Sequence, residues 1–282
     1  MPGLLLVLAG DRPEPSPLLV AAGVPAKALV PVAGEPVAVR VLRALDAFAP
    51  AAERWLIGPA EGALAETNPL SRYLDENRWL RRSPDSSPAV SLAAALAELG
   101  QSIATARPAL ITTADHALLT PDILAEFCMR AGELNSRDGC DLVVGFTSYD
   151  GVMQAFPEGR RTGLKLRDGR YCSCNLFALY SPRAARVIEF WRRVEAERKR
   201  PWRIAALVRP TLVLRYLLHR LTLSAALSAI GERAGARIGA ALLDNPAAAV
   251  DVDSIADWKL VCAVIDGTGR SRSDPANAGA SG

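Results

Sequence analysis

Residues 3–12 read Gly-Leu-Leu-Leu-Val-Leu-Ala-Gly-Asp-Arg, an apolar run that ends at Gly10 and is followed by the charged pair Asp11 and Arg12. A short, uninterrupted apolar run that ends at a glycine is typical of a strand buried on both faces of a parallel sheet. In an open α/β sheet, ligands bind beyond the carboxyl ends of the strands. The stretch therefore predicts a parallel sheet whose first strand leads into a binding site.

The same alternation of strand and helix continues through the first half of the chain. Apolar runs predict further strands at 54–58, 78–82, 108–113 and 141–146. Proline at a first helical turn marks helices that begin near Pro36, Pro88 and Thr120-Pro121. Residues 10–35, rich in proline and glycine, are predicted to form a long loop. The predicted fold class is α/β, a three-layer α/β/α arrangement with a mostly parallel central sheet.

The second half is less regular and predicts one domain with an added helical segment. Strands are predicted at 161–166 and 170–180 around the turn Asp168-Gly169, helices at 182–199, 202–220 and 222–235, a return to the sheet at 237–243 and 248–252, and a last helix that Ser254 caps. Residues 1–266 are expected to form a single domain with a basic helical insertion at about 183–235. The tail 267–282, rich in Gly, Ser and Asn, is predicted to be disordered.

Composition excludes several protein classes. The chain has 282 residues, of which 50% are hydrophobic and 22% charged, so it can bury a full core. Five cysteines are an odd count for a disulfide scaffold and suit a reducing, cytoplasmic compartment. No apolar run reaches the roughly 18 residues that a membrane span needs, and no basic residue precedes the first apolar run as in a signal peptide. Cys172-Ser-Cys174 lacks zinc-site spacing.

The charge of the chain is unevenly distributed. The net charge is +3, yet Arg183 to Arg220 holds eleven Arg and Lys against three Glu, a local +8 that leaves −5 for the rest. Such a segment attracts phosphate groups on a substrate, a membrane surface or a nucleic acid, although it is also compatible with solvated amphipathic helices. Nucleic acid is disfavoured because aromatic residues do not alternate with the basic ones.

Residues at predicted strand ends have the chemistry of a phosphate and metal site. The glycine loop at Gly10 offers backbone N–H groups to phosphate oxygens, and Arg12 and Lys27 add two cations. Asp115 ends another strand, where a carboxylate can hold Mg²⁺. The pair Asp251 and Asp253 is expected to end a late strand, so that only one carboxylate faces the cleft. Because P-loop, dinucleotide-fold, serine-hydrolase and zinc-peptidase motifs are absent, this set favours metal-assisted phosphoryl or nucleotidyl transfer.

At these residues the sequence resembles a known family. Leu8-Ala9-Gly10-Asp11-Arg12, Pro25–Val32, Gly34-Glu35-Pro36, Ala114–Pro121 and Val250–Asp257 are similar, in this order, to the signature elements of nucleotidyltransferases with the GT-A type, Rossmann-like fold. The branch they resemble most is the MobA-like NTP transferases.

The resemblance implies a role for individual residues. The NTP phosphates would be held by the backbone at Ala9, Gly10 and Asp11 together with Arg12 and Lys27. Asp115 and Asp253 would hold Mg²⁺ or Mn²⁺, with Asp251 as the alternative ligand. Pro88 and Ser91 would contact the base and ribose, and Lys165 and Asn175 the second substrate. Lys27, Arg12 and Asp115 would carry the catalysis, in which a phosphate oxygen of the acceptor attacks the α-phosphate and pyrophosphate leaves.

The sequence also departs from that family. Asp11 stands where the family has glycine or alanine, and a carboxylate near phosphates is unfavourable unless it is turned away. Ala117 replaces a usual proline, and residues 183–235 have no counterpart.

Three functions therefore stay open. The first is Mg²⁺-dependent transfer from an NTP, with CTP or GTP favoured, to a phospho-alcohol, sugar phosphate or lipid head group. The second is a glycosyltransferase of the same fold, for which Thr113-Ala114-Asp115 has one acid where two are usual. The third is a non-catalytic nucleotide-binding module. Trp191, Trp202, Leu207, Val208, Leu214, Leu217 and Leu218 among arginines suit a peripheral contact of 183–220 with an anionic membrane.

Overall fold

A computed structural model of the chain describes residues 1–11, 16–100, 108–159, 161–197, 200, 203, 207 and 210–267. Its strands are β1 Leu4–Leu8, β2 Pro31–Val32, β3 Glu35–Pro36, β4 Glu53–Ile57, β5 Leu80–Arg82, β6 Ala109–Thr113, β7 Leu142–Ser148, β8 Leu164–Leu166, β9 Gly169–Leu179 and β10 Ile238–Leu243. Its α-helices are α1 Pro17–Ala22, α2 Val37–Phe48, α3 Pro69–Glu76, α4 Pro88–Leu99, α5 Pro121–Asp138, α6 Tyr149–Ala155, α7 Ala184–Ala196, α8 Pro210–Leu217, α9 Leu223–Ala234 and α10 Ile255–Ile265. Short 3₁₀ helices lie at Lys27–Leu29 and Pro246–Ala249.

The central sheet has the strand order β10-β7-β9-β6-β1-β4-β5, and β8 pairs with β9. Pairing is parallel between β1 and β4, β1 and β6, β4 and β5, and β7 and β10, whereas β9 runs antiparallel to β6 and β7. Leu8 is in register with both Ile57 and Thr113, so the carboxyl ends of β1, β4 and β6 meet at one edge. The predicted mostly parallel α/β sheet is confirmed.

Alternate side chains of β1 enter two separate cores, which explains why the whole strand is apolar. Leu5 and Val7 pack in the larger core with residues of α2, α5 and α10. Leu4, Leu6 and Leu8 pack on the opposite face with residues of α4 and α7. A side-chain period of two sends neighbouring residues to opposite faces, so a strand between two helical layers must be apolar at each position.

The segment between β9 and β10 contacts the rest of the domain at both of its ends. At its start, Ser87 Oγ at the beginning of α4 lies 2.6 Å from Glu195 Oε2 of α7. At its end, the backbone N–H of Arg167 in the β8–β9 turn donates to the carbonyl of Leu221 (2.8 Å), and the N–H of Leu223 donates to the Asp168 carboxylate. A small apolar cluster of Leu166, Leu221, Leu223 and Leu227 fills the space beneath α9.

Several predicted elements differ from the structure. The predicted long loop at 10–35 contains α1, a 3₁₀ helix and the β2–β3 hairpin, because Leu18, Val30 and Val32 are buried in the larger core. The strand predicted at 248–252 is wrong: a 3₁₀ helix follows Asn245, and the N–H of Val252 donates to the Asp115 carbonyl (3.0 Å) instead of to a strand.

Other boundaries shift by a few residues. The helix expected from Pro36 begins at Val37, because Pro36 belongs to β3. The strand expected at 161–166 is limited to Leu164–Leu166. Of the helix predicted at 202–220, the structure describes α8 and a few neighbours, and the tail predicted to be disordered lies outside the described residues beyond Gly267.

Candidate active site

Lys27 is held at the sheet edge by Asp11, which follows β1. The backbone N–H of Lys27 donates to Asp11 Oδ1 (3.0 Å) and Oδ2 (3.2 Å) at the start of the 3₁₀ helix. Burial raises the pKa of the Asp11 carboxyl, an effect that the Lys27 N–H and ammonium oppose. The carboxylate that stands in place of glycine is therefore turned toward backbone, where it fixes the residue that carries the lysine.

The Lys27 ammonium joins two carboxylates from distant parts of the chain. Its Nζ lies 3.0 Å from Asp115 Oδ2 and also contacts Asp253 Oδ1. Burial by itself would lower the lysine pKa, but the charges of Asp115 and Asp253 outweigh it and raise the pKa above its ordinary value. The ammonium therefore stays charged at neutral pH, at the edge where β1 and β6 end.

The loop that carries Asp253 is attached to Asp115 by main chain. The Val252 N–H bonds to the Asp115 carbonyl, and the Ala114 N–H donates to the carbonyl of Leu8 at the end of β1 (2.9 Å). Asp253 is 61% exposed, whereas Asp115 is 14% exposed. The more buried acid is thus part of the sheet edge, and the more exposed one reaches it from the loop.

Asp251 faces a different partner from Asp253. Arg161, which is 7% exposed, contacts Asp251 Oδ1 through Nη1 and lies 2.9 Å from Asp257 Oδ1 through Nη2. Asn175 Nδ2 donates to Asp251 Oδ2 (3.2 Å). Burial raises the pKa of Asp251 to about 6, and repulsion from Asp115 and Asp253 adds to the effect while Arg161 opposes it. One of the two acids faces Lys27 and the other faces Arg161.

Arg161 was missed by sequence reasoning. It lies in a short connection between α6 and β8, far in sequence from both of its carboxylate partners, and no motif surrounds it. Asp257 also accepts from the N–H and the hydroxyl of Ser254, with which it forms a capping box at the start of α10. The arginine therefore ties the loop at 251–253 to the helix that follows it.

The predicted base and ribose residues lie beside the glycine loop. Gly10, Asp11, Ser87, Pro88 and Ser91 line one small cavity, together with Leu8, Ile57 and Asp85. Ser87 caps α4 by accepting from the Val90 N–H (3.3 Å), and the buried Ser91 hydroxyl accepts from the Asp85 N–H (2.8 Å). Both serines therefore have a structural partner in addition to their place in the cavity.

Gly58 makes close approach possible at this edge. Its φ is +107°, and a Cβ built on it would lie 2.6 Å from the Ala9 carbonyl carbon. Only glycine tolerates that conformation and that contact.

Not all predicted site residues come together. Arg12 lies outside the described residues. Lys165 is exposed on β8 opposite Arg170, and within the described part of the chain it has no ion pair with the site acids. His116 is buried beside Asp115, and burial lowers its pKa to about 4, so it is neutral at pH 7.

The carboxylates at this edge are of the type that binds hard cations such as Mg²⁺. Among the described residues, no group of three His, Cys, Asp or Glu side chains is arranged to hold one. Asp115 Oδ1, however, is a buried oxygen without a hydrogen-bond partner there. Mg²⁺ is usually bound by one or two carboxylates plus substrate phosphates, rather than by a cage of protein ligands. Asp115 and Asp253 fit that mode.

The chain is similar to one protein family and to several solved structures. A family model described as the MobA-like NTP transferase domain matches residues 5–245. No curated protein matches the chain significantly. A solved structure of a hypothetical transferase from Thermus thermophilus is 27% identical, with a TM-score of 0.70, and the match covers 92% of this chain and 100% of that one.

Two further structures share the fold at low identity. A CMP:2-keto-3-deoxy-manno-octonic acid synthetase complexed with CTP is 11% identical with a TM-score of 0.55, over 95% of this chain and 99% of that one. A 4-diphosphocytidyl-2C-methyl-D-erythritol synthase from Anaerococcus prevotii is 10% identical with a TM-score of 0.53, over 93% and 96%. With the family match and the strand-edge geometry together, the chain belongs to the MobA-like NTP transferase family and is by that membership a nucleotidyltransferase.

Proposed function

We propose that the chain transfers a nucleoside monophosphate from an NTP to a phosphorylated acceptor, in a Mg²⁺-dependent reaction that releases pyrophosphate. The observation that carries the proposal is the position of Lys27 between Asp115 and Asp253, at the edge where Gly10 and Asp11 follow β1. A cation and carboxylates next to a glycine loop at strand ends suit a triphosphate and its metal ion.

The reaction needs little covalent chemistry from the protein. A phosphate oxygen of the acceptor forms a bond to the α-phosphorus, the bond from that phosphorus to the bridging oxygen of the β-phosphate breaks, and pyrophosphate leaves with the electron pair. Catalysis of this kind rests on positioning and on neutralising charge. Lys27 is charged at neutral pH and fixed through its own backbone, so it offers a preorganised cation to the α-phosphate. Arg12 is proposed to add a second cation there.

Asp115 and Asp253 are the proposed Mg²⁺ ligands, with Asp251 as the alternative. The unpartnered Asp115 Oδ1 supports this choice. Asp251 is less suited, since Arg161 and Asn175 already occupy its carboxylate. When bound, the metal would neutralise phosphate charge and orient the triphosphate.

The nucleotide and the acceptor are assigned by class. CTP or GTP is favoured for the base, and a structure of the same fold is described in complex with CTP. Pro88 and Ser91 are proposed to contact the base and ribose. The acceptor is a phospho-alcohol, a sugar phosphate or a lipid head group, and Lys165 and Asn175 are proposed to face it. A cytoplasmic location is proposed from the unpaired cysteines.

A pyrophosphate-release assay tests the proposal. CTP, GTP, UTP and ATP are each combined with Mg²⁺ and with acceptors of the three classes, and the same nucleotides are screened by thermal shift. A nucleotide present at about 100 times its dissociation constant should stabilise the fold by about 2.7 kcal/mol. Lys27→Met should lower turnover by about 10²–10³-fold, whereas Lys259→Met, at an exposed lysine on α10, should not. A loss of turnover below tenfold in Lys27→Met, or binding of nucleotide sugars without pyrophosphate release from any NTP, would refute the proposal.

A further inference from the structure

Helix α8 has no buried residue, although half of its residues are leucine or valine. Leu214, Leu217 and the following Leu218 are 56%, 66% and 54% exposed. Their spacing of three and four residues places them on one face of the helix. Leu212 instead packs against the apolar cluster around Leu166, which attaches the helix to the domain. The three exposed leucines therefore form an apolar patch that points away from the core.

The surroundings of this patch are cationic. No acidic residue occurs in the sequence between Glu197 and Glu232. Arg215 lies within α8 and Arg220 follows three residues after its end. No ion pair joins either to a carboxylate in the described part of the chain, although Arg215 lines a small cavity together with Glu232 of α9. An exposed apolar patch flanked by arginines is the composition of a helix that lies in a membrane interface. Here the α8 face means Leu214, Leu217, Leu218, Arg215 and Arg220.

One end of the segment that contains the α8 face contacts the candidate active site. Its start contacts Ser87, which lines the same cavity as Gly10 and Asp11. Its end bonds to the β8–β9 turn.

We propose that the α8 face docks on an anionic lipid bilayer. Arg215 and Arg220 give the charge complementarity, and the leucines supply the apolar insertion. A second copy of this chain is a poorer partner, since a two-fold contact would place the arginines of both copies together. None of the helices within the described ranges has the length and apolar character of a membrane-spanning segment.

Of the residues in 183–220 that the sequence predicted to contact a membrane, the structure supports a smaller set. Trp191 is half-buried and packs against the core beside α4, and Leu207 is also half-buried. Trp202 and Val208 lie outside the described residues. The apolar residues of this predicted contact that are largely exposed in the described part of the chain are the three leucines of the α8 face. If the chain docks on a bilayer, its acceptor would carry a phosphate at the bilayer surface. That consequence rests on the proposed function, whereas the docking itself does not.

Vesicle co-sedimentation of the full chain tests the proposal. The vesicles are phosphatidylcholine alone and an equimolar mixture with phosphatidylglycerol, each at low and high salt. Wild type should sediment with the anionic vesicles and be released by salt. The combined change Leu214→Ser, Leu217→Ser and Leu218→Ser should remove binding. Arg215→Gln with Arg220→Gln should weaken it about fivefold for each arginine.

Matched controls separate the docking from general effects. Met129→Ser on α5, an equally exposed apolar residue, and Arg72→Gln on α3 should bind like wild type. Equal binding to both vesicle types, no binding, or wild-type binding by the triple serine variant would overturn the proposal. Self-association that the triple serine variant loses, without vesicle binding, would likewise overturn it in favour of a second copy. Pyrophosphate release with a soluble acceptor and no vesicles reports separately on the proposed function.

Discussion

Replacing Arg161 by methionine tests whether the loop at 251–253 is held by one buried guanidinium. The substitution keeps an unbranched side chain of similar length but removes the cation that contacts Asp251 and Asp257. Both carboxylates would then lose their charged partner in a partly closed environment. We expect the protein to fold, since each acid keeps another hydrogen bond, but to be less stable and less active.

The magnitude follows from the burial of the three groups. Removing one partner of a buried pair typically costs about 3–5 kcal/mol. Asp257 keeps its bonds to Ser254, and Asp251, which is 23% exposed, keeps Asn175. These remaining partners and the exposure place the expected loss at the lower end, about 3 kcal/mol. For a chain of this size that corresponds to a fall in Tm of roughly 5–10 °C.

The assay pairs denaturant unfolding with pyrophosphate-release kinetics on the same preparations. Arg54→Met is the matched control, because Arg54 is 16% exposed and lies 2.9 Å from Asp46, away from the site. Both variants should lose stability, but at a temperature where each is folded only Arg161→Met should lose kcat. Arg161→Lys should recover part of the stability. Unchanged stability in Arg161→Met, or a kcat as high as that of Arg54→Met, would refute the positioning role.

Three further predictions concern the site edge. Lys27→Met should lower kcat by about 10²–10³-fold, the usual effect of removing one preorganised donor, with Lys259→Met as the control; a loss below tenfold would contradict it. Asp115→Asn should remove the Mg²⁺-dependent part of the thermal shift produced by the NTP, while Asp266→Asn keeps it; an unchanged Mg²⁺ effect would argue against Asp115 as a ligand. Gly58→Ala should destabilise the fold by more than about 1 kcal/mol, because its Cβ would meet the Ala9 backbone; Gly62→Ala, with open space around its Cβ, should cost less in the same denaturant titration.

Local sequence was sufficient to predict elements whose structure depends on a short run of neighbouring residues. The apolar run of β1 predicted a strand between two helical layers. Pro88 and Thr120-Pro121 predicted helix starts, which the Ser87 and Thr120 side chains cap. The prediction from local sequence was wrong where buried residues of a loop alternate with polar residues in the pattern of a strand. Val250 and Val252 alternate with acids as strand residues would. Both are instead buried residues of a loop, which bonds to Asp115 through the Val252 N–H.

The sequence by itself determined the α/β architecture, the family and the candidate acids and lysine, because strand periodicity, helix capping and spaced motifs are properties of neighbouring residues. Only the tertiary structure decided how Asp251 and Asp253 divide between Arg161 and Lys27, that Asp11 bonds to backbone, and which leucines of the basic segment remain exposed. Each of these depends on which side chains meet across long stretches of chain. An ion pair or a buried face is a property of both partners, and the sequence around one of them does not identify the other.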